Sequence, residues 1–186
     1  MTNEPESLPM SIASTRLLLR PWRQDDVDAV LAQASDPEWA RFLPVPVPYA
    51  RSDAEAFVSI QLGLDPARNP SWAITRNGAL VGGINIRLDP AHRTGELGYS
   101  VAREAWGQGI ATEALRAVLD AAFVTLPWLD RVRAMADLRN LASQRVMEKN
   151  GMQREGVLRR NRVVRGESID EAWYGLLREE WLAGRR

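Results

Sequence analysis

One stretch limits the folds open to this chain more than any other: Gly95-Glu-Leu-Gly-Tyr-Ser-Val-Ala-Arg-Glu-Ala-Trp-Gly-Gln-Gly-Ile-Ala-Thr112. Its first part, Glu96–Val101, reads as a strand. Its last part opens a helix, because from Gly109 onward apolar residues recur at Ile110, Ala114, Leu115, Val118, Leu119 and Ala122 along one stripe. Between the two lies a loop with glycines at 107 and 109. The first amides of a helix have no partner within it, and together with the helix dipole they form a site for an anion. Gly107 and Gly109 let that backbone come close to a phosphate, and the small Ala111 keeps the entrance open. The segment reads as a strand, a phosphate or pyrophosphate cradle and a helix, in that order.

Several phosphate ligands are excluded by context. A nucleoside-triphosphate loop needs a lysine followed by Ser or Thr, and neither follows here. A dinucleotide fold places its glycines at the start of a parallel βαβ unit, with a third glycine where Thr112 stands. Here the glycines come past the midpoint of the chain, after a hairpin. That hairpin is marked by Asn77-Gly78 between the strands Ser71–Arg76 and Ala79–Leu88.

The other elements fall around this centre. Arg16–Trp22 reads as a strand closed by Pro21, and Gln24–Leu31 as an amphipathic helix with acidic residues in its first turn. Leu43-Pro-Val-Pro-Val-Pro-Tyr49 lacks an amide proton at every other residue, so it predicts an exposed extended loop. Ser52-Asp-Ala-Glu55 has the form of a capping box opening a helix through about Leu62. Asp130–Ala136 reads as a strand, and Leu141–Asn150 as a helix stopped by Gly151. Two last strands, Met152–Val164 and Glu167–Leu177, flank Arg165-Gly166. The order predicts one α+β domain over residues 15–186, built on a mostly antiparallel sheet, after a loose leader at residues 1–14.

Composition narrows the chemistry. The 186 residues carry 24 positive and 24 negative side chains, so no net charge draws the chain to nucleic acid or anionic lipid. There is no apolar run long enough to span a bilayer and no signal-like start, which points to a cytoplasmic protein. With no cysteine, thiol nucleophiles, disulfides and cysteine-bound metal are absent. His92 is the only histidine and sits among turn residues, so neither a histidine triad nor a multi-histidine metal site is available and no metal is expected.

What remains is coenzyme A, and here the residues resemble a family. Trp106-Gly-Gln-Gly-Ile-Ala111 resembles the second half of the acyl-CoA loop of the GNAT N-acetyltransferases, with Gly109 and Ala111 on its two small positions. Trp106 stands where Gln or Arg is usual. With Thr112, Glu113 and Ala114, this form is similar to the branch containing ribosomal-protein N-terminal alanine acetyltransferases. Thr15–Trp22 resembles that family's first strand, Asn140–Met152 its second cofactor helix, and Arg165-Gly166, Asp170, Trp173 and Tyr174 its closing hairpin.

The resemblance implies a sheet of about seven strands, flanked by helices and splayed where the strand ending at Val101 and the next one part. Acetyl-CoA would lie in that gap. Its pantetheine arm would pair with Tyr99, Ser100 and Val101, and its pyrophosphate would meet the turn from Trp106 through Gly107, Gln108, Gly109, Ile110 and Ala111 to Thr112. A strand amide near the thioester would stabilise the developing oxyanion. The family's reaction is direct attack by a neutral amine, and the acceptor is a peptide N-terminus or a small-molecule amine. A homodimer is common in the family, and no residue here demands one.

Glu96 is the first candidate for base or substrate-orienting group, with Asp170 and Glu171 behind it. The tyrosine that many family members use to protonate the leaving thiolate falls at Met147 here. Ser143, one turn earlier, resembles the serine used in the N-terminal alanine branch. Asn140 is both a helix N-cap and a candidate cofactor contact. Trp22, Trp39, Phe42 and Tyr49 are candidate acceptor-pocket aromatics, and Trp72, Trp128, Trp173 and Trp181 are assigned to packing.

Overall fold

Asn77 and Gly78 both take positive φ, 51° and 82°, and turn β3 (Ser71–Arg76) back along β4 (Ala79–Asp89) as the sequence predicts. This hairpin sits within a sheet of eight strands seen in a computed structural model that describes residues 7–185. The other strands are β1 (Ile12–Ala13), β2 (Leu18–Arg20), β5 (Thr94–Val101), β6 (Arg131–Asp137), β7 (Gln153–Val164) and β8 (Glu167–Leu177). Their order is β1-β2-β3-β4-β5-β6-β8-β7, and every neighbouring pair is antiparallel except β5 with β6.

That parallel pair positions the site. Its register runs from Thr94 opposite Arg131 to Leu97 opposite Ala134 and stops there. Further along, β5 stays paired with β4 to Val101, and β6 stays paired with β8 to Asp137. The two strands therefore part beyond Leu97, leaving a gap in the middle of the sheet.

Helices α4 (Ile110–Thr125) and α5 (Leu141–Lys149) cover one face. The α4 stripe buries Ile110, Ala114, Leu115, Val118, Leu119, Ala122 and Phe123 against Ile86, Leu97, Val132, Ala134 and Tyr174. Burying each of the Leu, Ile, Val and Phe side chains among these contributes roughly 1.5–3 kcal/mol. On the other face, α1 (Val27–Ala34) and α3 (Arg51–Gly63) pack with Trp22 and Ala73 in a second, smaller core. Short α2 (Pro37–Ala40) leads into the proline-rich loop, and α6 (Arg178–Ala183) closes the chain. No helix among the described residues is long and apolar enough to cross a membrane.

The sheet has one strand more than expected, because the stretch read as a leader joins it. Residues 1–6 lie outside the described residues, but Leu8 is buried in the main core, the Trp72 indole donates to the Pro9 carbonyl at 3.1 Å, and Ile12–Ala13 pairs with β2. The start of α3 also differs. Its cap is Ala50, whose amide donates to the Asp53 carboxylate at 2.8 Å, so the reciprocal bond falls two residues earlier than a box starting at Ser52 would put it.

Candidate active site

Gly109 is the N-cap of α4 and takes a left-handed conformation, φ 76°, after Gly107 at φ 72°. Two such residues in three positions fold the loop back so that amides follow one another around the helix start. The first backbone bond into the helix comes from Glu113 to the Gly109 carbonyl at 3.0 Å. The amides of residues 107 to 112 have no backbone acceptor among the described residues. This is the geometry that receives a phosphate.

The loop is fastened from behind. Arg16 gives its guanidinium to the Gln108 carbonyl at 3.0 Å and to Glu113 at 2.7 Å, and its amide also reaches Glu113 at 2.7 Å. Burial works to raise the Glu113 pKa, but the Arg16 amide, the Ser14 hydroxyl and the Arg16 guanidinium outweigh it and hold the carboxyl below its usual range. The Gln108 side chain accepts from Arg76 at 2.6 Å and donates to the Glu104 carbonyl at 2.7 Å, so it braces the loop and does not line the cleft. The Trp106 indole donates to the Val101 carbonyl at 2.7 Å and pins the loop to the end of β5.

A cleft of about 370 Å³ runs from this loop into the gap between β5 and β6. Tyr99, Ser100, Val101, Trp106, Gly107, Gly109, Ile110, Ala111 and Thr112 line it, with Asn140 and Ser143 from the start of α5. Asn140 accepts the Ser143 amide at 3.1 Å and so serves as the N-cap while facing the cleft. Arg145 and Lys149, one turn apart on α5, also line it and were missed in the sequence. Their signal was the i, i+4 spacing on a helix already marked by its resemblance.

A second cleft, of about 480 Å³, opens on the other side of the gap. Phe42, Leu43, Tyr99, Asn140 and Ser143 line both. The Tyr99 phenol and the Ser143 hydroxyl stand at this junction, 2.9 Å apart. The second cleft holds three carboxylates, Glu96, Asp137 and Glu171, each paired with arginine. Glu96 accepts from Arg87 at 2.6 Å on one oxygen and from Arg133 at 2.9 and 3.0 Å on the other. Burial pushes the Asp137 pKa up, yet the Arg139 side chain and amide pull it below its usual range.

The sequence reading divides here. Phe42 lines both clefts. Trp39 lines the first, with its indole N–H buried and without a partner among the described residues. Tyr49 and Trp22 pack with the second core instead. Asp170 accepts the Arg160 amide at 2.8 Å and lines neither cleft, whereas Glu171, next along β8, faces the second. His92 lies in the β4–β5 turn, its Nδ1 2.8 Å from Asp89.

The profile of the Acetyltransferase (GNAT) domain matches residues 16–153. The chain belongs to the GNAT acetyltransferase family. The N-acetyltransferase YnaD of Bacillus subtilis is 33% identical over 172 residues, which is 92% of this chain and 99% of that protein. The crystal structure of a GNAT-family acetyltransferase from Bacillus anthracis superposes with a TM-score of 0.82 at 30% identity, covering 91% of this chain and 99% of that one. At 20% identity the fold is also that of RimL, a ribosomal-protein alpha-N-acetyltransferase solved with coenzyme A, with a TM-score of 0.79 over 92% of this chain and 97% of that one. In this GNAT protein the glycine loop, the splayed strands and the α5 N-terminus come together along one cleft, as the resemblance implies.

Proposed function

We propose that this protein transfers the acetyl group of acetyl-CoA directly to a primary amine, with a polypeptide N-terminus as acceptor and the cytoplasm as its place of action. The observation that carries the reading is the meeting of two clefts at Tyr99 and Ser143, one lined by unpartnered amides and the other by polar side chains. The residues present fit coenzyme A. Amides 107 to 112 suit a pyrophosphate, Arg145 and Lys149 add positive charge, and the free edge of β5 suits a pantetheine arm.

When bound, acetyl-CoA supplies a thioester whose carbonyl carbon takes the amine nitrogen as the carbon–sulfur bond breaks. The chain's own groups then move protons. Ser143 gives its hydroxyl proton toward the departing sulfur, and Tyr99, 2.9 Å away, restores it. The phenol takes its own proton back, through water, from the one the attacking amine nitrogen releases. Glu96 orients. Both of its oxygens accept from guanidinium groups, which hold the carboxylate in place within the second cleft. The proton lost by the ammonium leaves through water in the second cleft.

The test is calorimetric titration of acetyl-CoA into the purified protein, with dephospho-CoA and NADH as controls, followed by a thiol-release assay with amine acceptors. Saturable binding specific to acetyl-CoA, with thiol release that needs an amine, is the expected result. Binding without release for every amine would leave an acyl-CoA-binding module, and no binding would remove the reading altogether.

A further inference from the structure

We infer that the acceptor carries a carboxylate, received in the second cleft by Arg87 and Arg162. The inference rests on the acyl-transfer reading for the identity of that cleft as the acceptor side. Its evidence is the distribution of used and unused hydrogen-bonding groups there.

The carboxylates are already matched by cations. Glu96 has Arg87 on one oxygen and Arg133 on the other. Glu171, only 3% exposed, has Arg162 2.8 Å from one oxygen and accepts from the Asn161 amide group at 2.6 Å on the other. Asp137, equally buried, accepts from the Arg139 amide and Nε on one oxygen and from Nη2 on the other. Every carboxylate of this cleft faces a guanidinium, so an ammonium ligand would meet negative charge that is already matched.

The guanidinium groups are not used up. Arg87 spends Nη2 on Glu96, and its Nε and Nη1 have no acceptor among the described residues. Arg162 faces Glu171 through Nε, and its two Nη groups have none either. Their side chains are 61% and 37% exposed, and both line the cleft. Each stem is tethered by a carboxylate at the cleft floor, so the unspent N–H groups are held in place. Tethered forks with free donors suit a carboxylate, which accepts two parallel bonds from arginine. Asn69, Asn85 and Gln61 add neutral partners around them.

This chemistry selects among amines. A polyamine or an aminoglycoside brings several positive charges to a cleft whose negative charges are already matched. An amine with a nearby carboxylate brings its ammonium to the Tyr99–Ser143 junction and its negative charge to the arginines. Two sources share that chemistry: an acidic side chain close to a peptide N-terminus, and the C-terminal carboxylate of a very short peptide.

Three tetrapeptides separate the cases. One is an amide with glutamate at its second position, one is the glutamine counterpart, and one is the glutamine peptide with a free C-terminal carboxylate. Binding to the full chain saturated with CoA is measured by calorimetry, apart from turnover. A carboxylate-bearing peptide is expected to bind about tenfold more tightly than the neutral one, the size of a charge-assisted contact. Which peptide gains names the source.

Arg162→Gln and Arg87→Gln are each expected to abolish most of that preference while leaving the neutral peptide's affinity near wild type. Arg162→Gln also takes the cation from buried Glu171, so its melting temperature should fall and its binding is measured well below that temperature. Arg162→Lys should keep part of it. In the wild type, raising salt should weaken the carboxylate peptide alone. Equal affinity for all three peptides overturns the inference, whatever the variants do. Selective binding without thiol release would instead overturn the transfer reading, and release without selectivity would overturn the anion anchor.

Discussion

The Tyr99 hydroxyl lies 2.9 Å from Ser143 Oγ and 3.0 Å from the Ser143 carbonyl oxygen, across the gap where β5 and β6 part. Burial pushes the phenol up to about 12, with the bond to Ser143 pulling slightly the other way and neighbouring Tyr174 adding to the rise. Tyr99 therefore holds its proton at neutral pH and can return one to Ser143. Tyr99→Phe is expected to lower kcat roughly tenfold to hundredfold, at or below the low end of acid–base contributions. The KM for acetyl-CoA should hardly move, because the phosphate cradle is untouched. Steady-state kinetics decides it, and an unchanged kcat removes Tyr99 from the proton path.

The same phenol sets an alkaline limit on stability. Its folded pKa lies above the ordinary value of 10, so the native state binds the proton more tightly than the unfolded chain does. The resulting stabilisation is complete below pH 10 and is lost as pH rises through about 12. Tyr49 and Tyr174 are raised too, so a difference isolates Tyr99. The unfolding free energy of wild type minus that of Tyr99→Phe should shrink by roughly 2–3 kcal/mol over that window. Denaturant titrations at intervals between pH 9 and 12 would measure it.

Gly109 has φ 76°, and a Cβ there would meet only Arg16 Nη2, at 3.4 Å. Gly109→Trp is therefore expected to cost about 1–2 kcal/mol of backbone strain and to leave the protein folded. Its indole would press on the Arg16 clip behind the loop and shift the free amides, so acetyl-CoA affinity should fall by an order of magnitude or more. Calorimetry beside a melting curve separates the two effects. Unaltered affinity would mean that the amides do not hold the pyrophosphate.

Arg165, in the β7–β8 turn, donates to the carbonyls of Arg41 and Leu43 at 2.8 Å and of Val45 at 3.3 Å. Phe42 and Leu43, on that loop, line both clefts. Arg165→Ala should raise the KM for the acceptor severalfold with a smaller change in kcat, and should speed amide exchange over residues 41–47. Arg165→Lys should restore part of both. If exchange quickens and KM does not, the clip does not shape the acceptor wall.

Arg178 caps the far end of α4. It donates to the Phe123 carbonyl at 2.7 Å, the Leu129 carbonyl at 2.8 Å and the Leu126 carbonyl, with its guanidinium 5.3 Å from the Phe123 ring centroid. Arg178→Ala leaves these carbonyls without their charged donor and should cost roughly 2–3 kcal/mol. In a chain of this length that lowers the melting temperature by roughly 5–10 °C. Calorimetric melting tests it, and the KM for acetyl-CoA should stay as in wild type.

Much of the site's framework was legible because it rests on local signals. Asn77-Gly78, the α4 stripe and the glycines at 107 and 109 declare themselves through backbone preference and periodicity. β1 has two residues and α6 has six, too few for a period to emerge. The tethering of Glu96 was hidden, since Arg87 and Arg133 reach it only through the registers of β4 and β6. Asp170 and Glu171 differ by one residue on β8, and alternation without a known face cannot choose between them. Tyr49 sits near Phe42 in the chain, but its packing depends on where α1 and α3 meet.

The Arg165 clip was hidden for another reason: its acceptors are main-chain oxygens, which every residue type supplies. That has an evolutionary consequence. Side chains on the loop can be exchanged without undoing its attachment, since no side chain of the loop takes part in these bonds. Phe42, Leu43 and Pro44 are therefore free to drift toward new acceptors while the loop keeps its place. A lineage built on this arrangement could diversify its substrates by single replacements at those three positions, each of them neutral for anchoring.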